Sequence, residues 1–171
     1  MAYSAHSIQP RVVRWGGATI ADNTHMTKAS TAYSKGMLVR KTTTGTVEEV
    51  AANATTGIHG IILEDVASGA SKYAPVMWPA ADTILEAQVH HTTPASAVPA
   101  QALIGKQFRI NVSSGIWAVD LEQASNPDVE IVDVHNNYMD YDAEGDGSGQ
   151  FGLVRIKILA SRLNTAPAAA S

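Results

Sequence analysis

No stretch of this chain repeats an apolar residue every 3.6 positions for long. Where apolar residues recur, they recur every second position in short runs cut by turn residues. Phe108, Ile110 and Val112 alternate with Gln107, Arg109 and Asn111, and Ser113-Ser114-Gly115 turns the chain into Ile116 to Leu121. Successive strand residues point to opposite faces, so this pattern excludes amphipathic helices and leaves half-buried strands joined by tight turns. Many short strands with regular turn signals predict an all-β fold: a small antiparallel β-barrel or sandwich.

Further strands are expected over Lys35 to Lys41 and Thr46 to Ala51, joined by the Thr42-Thr43-Thr44-Gly45 hairpin turn. In the next one Thr83, Leu85, Ala87 and Val89 face inward, with Asp82, Glu86 and Gln88 outward. Val129 to Val134 alternates out of phase and predicts a bulge between Ile131 and Val132. Phe151 to Leu159 closes the set, and Ala100 to Ile104 reads as one helical turn. One run departs from simple alternation. In GIHGIILEDV, residues 57 to 66, Ile61-Ile62-Leu63 is apolar on both faces, so neither face of that strand is meant for water.

The chain is 171 residues, enough for one domain with a real core. Residues 1–31 are turn-rich and read as an extended N-terminal arm, with only Val12-Val13 and Ala18 to Ile20 suited to short strands. Residues 32–163 form the expected barrel domain, and the Pro/Ala-rich tail 164–171 is expected to be disordered. An arm outside the barrel implies that deleting residues 2–31 leaves the barrel folded. Charged residues make up only 16% of the chain, and a surface of Thr, Ser, Asn and Ala is inexpensive to desolvate against a partner. The net charge of −4 argues against nucleic-acid binding. With no cysteine there is no disulfide, thiolate site or thiol nucleophile. No apolar run of membrane-spanning length and no signal-peptide core are present, so a cytoplasmic origin and no membrane partner are expected.

Candidate chemistry is sparse. Asp140, Asp142, Glu144 and Gly145 resemble the opening of a calcium loop, but Phe151 stands where the closing bidentate glutamate belongs. A solvated acidic loop over 140–149 is the preferred reading. His90 and His91 are adjacent, so strand geometry points them apart and denies them a shared ion. His135 lies two residues beyond Asp133, a spacing compatible with a weak metal or acid–base pair, yet no third ligand is identifiable. Neither a Gly-x-Ser-x-Gly nor a Ser-x-x-Lys motif occurs. The expectation is therefore no enzyme, no metal and no cofactor. Trp117 fits an inward strand position; Trp78 lies at a strand end; Trp15 follows Arg11 and Arg14 in the arm. Arg11, Arg14, Trp15 and Trp78 are the candidate partner-contact residues.

Lys35-Gly36-Met37-Leu38-Val39, a hairpin, then Gly57-Ile58-His59-Gly60-Ile61-Ile62-Leu63-Glu64-Asp65-Val66-Ala67-Ser68-Gly69 resembles the small β-barrel decoration, or cement, proteins of tailed-bacteriophage heads. Leu103 to Phe108 and Leu153 to Ile156 extend the likeness, which covers about residues 33–162. The resemblance implies a viral structural protein on the outer surface of the capsid, commonly a homotrimer, bridging adjacent major capsid proteins. It transfers no catalytic residue. The doubly apolar strand then has an explanation: one face meets the barrel interior and the other a neighbouring layer or subunit. Two competing readings are a carbohydrate-binding or host-adhesion module using Trp78 and loop 140–149, and a small hydrolase using Asp133 and His135.

Overall fold

The structure is a computed structural model and describes residues 10–17, 19–27 (backbone only), 31–42, 45–50, 57–58, 60–69, 72–134 and 151–163. The strands are β1 (Arg11–Arg14), β2 (Thr19–Thr27), β3 (Leu38–Lys41), β4 (Thr46–Glu49), β5 (Gly60–Ile62) and β6 (Tyr73–Trp78). They continue as β7 (Ile84–His90), β8 (Gln107–Ser113), β9 (Ile116–Asp120), β10 (Val129–Val134) and β11 (Leu153–Ile158). The fold is all-β, as the alternation predicts; the described helical segments are two 3-10 turns, Pro94–Ser96 and Gln101–Leu103.

Strands β2-β4-β3-β5-β6 close a barrel, and the others form a six-stranded sheet in the order β1-β7-β11-β10-β8-β9. A further parallel pairing of β7 with β9 curls that sheet back on itself. Local chemistry sets the turns. Ser114 and Gly115 both have positive φ (52° and 77°), the backbone of a two-residue type I′ hairpin, and Ser113 pairs with Ile116 across it. The expected bulge in β10 is present, as the register against β11 shifts between Ile131 and Asp133. Pro75 lies within β6, where it has no N–H to donate. It is tolerated because β2 slips register opposite it, between Ala21 and His25.

The doubly apolar stretch is explained by sorting along β5. Ile62 joins Tyr33, Val39, Val47, Ala74 and Val76 in a core made entirely by the barrel's own segments, so this is the barrel interior. Ile61, with Leu38 and Met77, points the other way and packs with Leu85, Ile110, Trp117, Val119 and Ile156 of the curled sheet. Leu38, Ile61 and Met77 are also register partners across β3, β5 and β6, so they form one apolar row on the barrel's outside. Two strands are shorter than the alternation suggests: Lys35-Gly36 is a turn, so β3 begins at Leu38, and β5 spans only Gly60–Ile62. Trp117 ties the two layers together: it is fully buried and its Nε1–H donates to the Gly36 carbonyl at 2.7 Å. Gly60 is needed for space, because a Cβ there would lie 2.2 Å from Val76 Cγ1 and 3.1 Å from the Trp78 ring.

Two expectations are corrected. The boundary at residue 31 does not separate an arm from a domain: β1 pairs with β7, and β2 supplies the barrel strand between β6 and β4. The segment is extended, but sheet pairing absorbs its backbone groups. Glu86 and Gln88 do not face water either. Glu86 is 2% exposed beneath Arg11, whose Nε donates to Oε1 at 2.6 Å, and Gln88 Nε2 donates to the Phe151 carbonyl at 3.1 Å. Their alternation is real, but other segments cover the polar side, and a buried polar group is tolerated once it is paired. The tail 164–171 lies outside the described residues.

Candidate docking surface

Among the described residues, strand β1 is the terminal strand of its sheet, with β7 as its neighbour there. Its sequence, Arg-Val-Val-Arg, places Val13 on an exposed position, and Trp15 follows directly. Val13 is 40% and Trp15 45% exposed, and the two lie close together on one segment, where a contiguous apolar patch is more informative than either residue alone. Beside them lies an open cleft of about 370 Å³ lined by Arg11, Val12, Trp15, Lys35 and Gly36, with Ile61 to Leu63 at its barrel side. The groove thus runs between the first strand of one sheet and the doubly apolar strand of the other.

The segment carrying Trp15 is held in place before any partner arrives. Thr83 Oγ1 donates to the Trp15 carbonyl at 2.9 Å and accepts the Ala80 N–H at 2.9 Å. Gly17 N–H donates to Asp82 Oδ1 at 2.9 Å. That bond, chiefly, holds the Asp82 carboxyl below its usual range against the opposing desolvation, with its own backbone N–H and the Arg14 charge assisting. Gly16 has φ +52° and its Cβ position is filled by the Asp82 carboxyl at 2.6 Å, so the turn needs glycine twice over. Arg11 is anchored on Glu86. An indole on a backbone fixed this way gives up little conformational entropy on being covered.

Of the four candidate contact residues, the structure brings Arg11 and Trp15 to one cleft and sets Arg14 beside Asp82. Trp78 belongs elsewhere: its partly buried ring packs on the barrel-interior core and against Gly60. The holders Asp82, Thr83 and Glu86 escaped the sequence reading, because they lie 65 to 75 residues from the groups they bind and no local motif links them.

The remaining chemical candidates separate. The expected divergence of His90 and His91 is not complete: His90 Nδ1 lies 3.8 Å from Asp120, the last residue of β9, and His91 Nδ1 3.7 Å from Glu122 just past it, while Glu122 also comes within 4.8 Å of the His90 ring. Asp133 is paired with Arg155 at 3.3 Å, while His135 and the acidic loop 140–149 lie outside the described residues. No protein-family model matches the sequence, and no curated protein matches it.

Proposed function

We propose that the protein is a non-enzymatic decoration, or cement, protein. In this reading it sits on the outer surface of a tailed-phage head as a homo-oligomer, a trimer by preference. There it bridges adjacent major capsid proteins to stabilise the shell. The observation that carries the reading is the pre-set edge strand with exposed Val13 and Trp15 beside an apolar-walled cleft. An edge strand offers unpaired backbone N–H and C=O groups, and a partner's extended segment can pair with them while its side chains enter the cleft. Two apolar layers packed through Trp117 form a stiff body, so a force applied at one contact is passed to another rather than absorbed. The low surface charge lowers the desolvation cost of each contact, and several weak contacts per oligomer add by avidity. The likeness of residues 33–162 to cement proteins points the same way.

The test is co-sedimentation of the full chain with expanded and unexpanded phage shells, alongside analytical ultracentrifugation of the free protein. Binding to expanded shells by an oligomer is expected. Trp15→Ala should weaken it by about 2 kcal/mol, the scale of an interface anchor, with thermal stability unchanged. A strict monomer that ignores expanded shells would remove the proposal.

A further inference from the structure

We propose that His90, Asp120 and Glu122 form a binding site for one divalent transition-metal cation of the zinc class, at the seam where β7 meets β9. One ligand atom from each of the three lies within 4.8 Å of the other two. Two of the donors are set by backbone register: His90 is paired with Asp120 across the parallel strands, and Leu121 N–H donates to the His90 carbonyl at 2.9 Å. That register places His90 Nδ1 and Asp120 Oδ1 3.8 Å apart. Ligand bonds of about 2.0–2.2 Å put neighbouring donors of a tetrahedral zinc roughly 3.3 Å apart. The strand-borne pair therefore closes by a fraction of an ångström, and Glu122, partly exposed on the turn after β9, makes the larger movement.

The donor set selects the metal class. One imidazole with two carboxylates suits zinc and its first-row neighbours, whereas calcium and magnesium take oxygen ligands throughout. Asp120 is only 5% exposed, and a second carboxylate converges on it. Asp120 accepts from two neutral donors, the Glu122 N–H at 3.1 Å and Asn111 Nδ2 at 3.4 Å. A cation compensates such a pair far better than amide dipoles do. The outer partners are also in place, since Thr92 donates to Glu122 from both its N–H and Oγ1 at 2.7 Å. His91 stands beside the site and outside the donor set; its Nδ1 accepts the Thr93 N–H at 3.0 Å. The β7–β9 pairing comprises two residue pairs, Val89 with Val119 and His90 with Asp120. In a chain without cysteine, a cation here would staple the curl of the second sheet.

The experiment uses the full-length protein freed of metal with a chelator. Cobalt(II) is followed by visible absorption, and zinc chloride by thermal shift. Expected are ligand-field bands of a low-coordinate cobalt site and a zinc-dependent rise in Tm. At a hundredfold excess over Kd, zinc raises the folded-to-unfolded ratio about a hundredfold. Both signals should be lost in Glu122→Gln and in His90→Asn. If His90→Asn fails to fold, Glu122→Gln at its partly exposed turn carries the test alone. No bands and no Tm rise at millimolar metal would overturn the site. So would an unchanged response in Glu122→Gln, which places binding elsewhere, or an equal rise with calcium or magnesium, which contradicts the metal class. The metal site stands or falls independently of the shell-binding reading.

Discussion

The barrel and the curled sheet are built from the same alternating strands, yet they treat polar groups differently. Among the described residues, the barrel interior is filled by Tyr33, Met37, Val39, Val47, Ile62, Ala74 and Val76, and the buried Tyr33 hydroxyl donates to the Val47 carbonyl at 2.8 Å. The buried polar and charged residues among those described, Thr83, Glu86, Gln88, Asp120 and Asp128, all fall on the curled sheet or its loops. The described interior of this small closed barrel is filled by apolar side chains, as the alternation of its strands leads one to expect. The curled sheet closes through short pairings, and its seams are made with side chains: Arg11 on Glu86, Arg162 on Asp128 at 3.1 Å, His90 near Asp120. Among the described residues, the barrel buries apolar side chains and keeps its Arg40–Glu48 pair half-exposed, whereas the curled sheet buries paired charge as well. The candidate surfaces lie on or beside the second.

The largest effect expected comes from removing residues 2–31. Loss of β1 and β2 opens the barrel between β6 and β4, so circular dichroism and calorimetry should show no cooperative unfolding transition. A truncated chain that still melts cooperatively would mean that the barrel closes without β2. Trp117→Ala comes next, with a loss of about 3–5 kcal/mol in urea unfolding from the cavity and the broken layer-spanning hydrogen bond. Two resolved transitions in this variant would show that the regions are separable units. Gly60→Ala probes the barrel alone and should cost about 1–3 kcal/mol through overpacking against Val76. Adding Val76→Ala should recover part of that loss, and a strictly additive double variant would deny the contact.

The smallest effects are in pH dependence, and their signs differ. The Lys157 contact first, and then Gln107, hold the Glu130 carboxyl below the usual 4.5. Its contribution is therefore present above that value and fades as pH falls through the lower folded one. Glu130→Gln should be slightly less stable than the parent at pH 7 and equal to it in acid; its partial exposure keeps the difference small. Burial pushes the Asp128 carboxyl above 3.8, despite the Ile110 N–H and the Arg162 and Arg109 charges. Stability from this group is greatest when it is protonated and is lost as pH rises through the window above 3.8. The advantage of the parent over Asp128→Asn should accordingly shrink as pH rises. Urea midpoints from pH 3 to 7 measure both, and parallel profiles for the two variants would contradict the assignment of causes.

Much of this fold is written in local alternation. The strand class, the Ser113–Gly115 hairpin, the bulge after Ile131, the inward Trp117 and the two-faced Ile61-Ile62 pair follow from side-chain period and turn chemistry, which act between near neighbours. What neighbours cannot specify is which segment covers a given face. Glu86 and Gln88 alternate as solvent-facing residues should, and only the tertiary placement of Arg11 and the Phe151 carbonyl buries them. Trp15 lies where the sequence placed an independent arm, but its backbone is pinned by Thr83 across the fold. Asp120 and Glu122 carry no motif, because the imidazoles nearest them, His90 on β7 and His91 just past its end, sit far back in the chain.

Sequence alone thus determined that this chain would be strands with a core on both sides of β5, since a run of apolar residues has no stable place in water. Tertiary structure decided which outward positions are truly outward and which charges meet. Those outcomes depend on strand order and register, and contacts between residues far apart in the chain exist only once the sheets have closed.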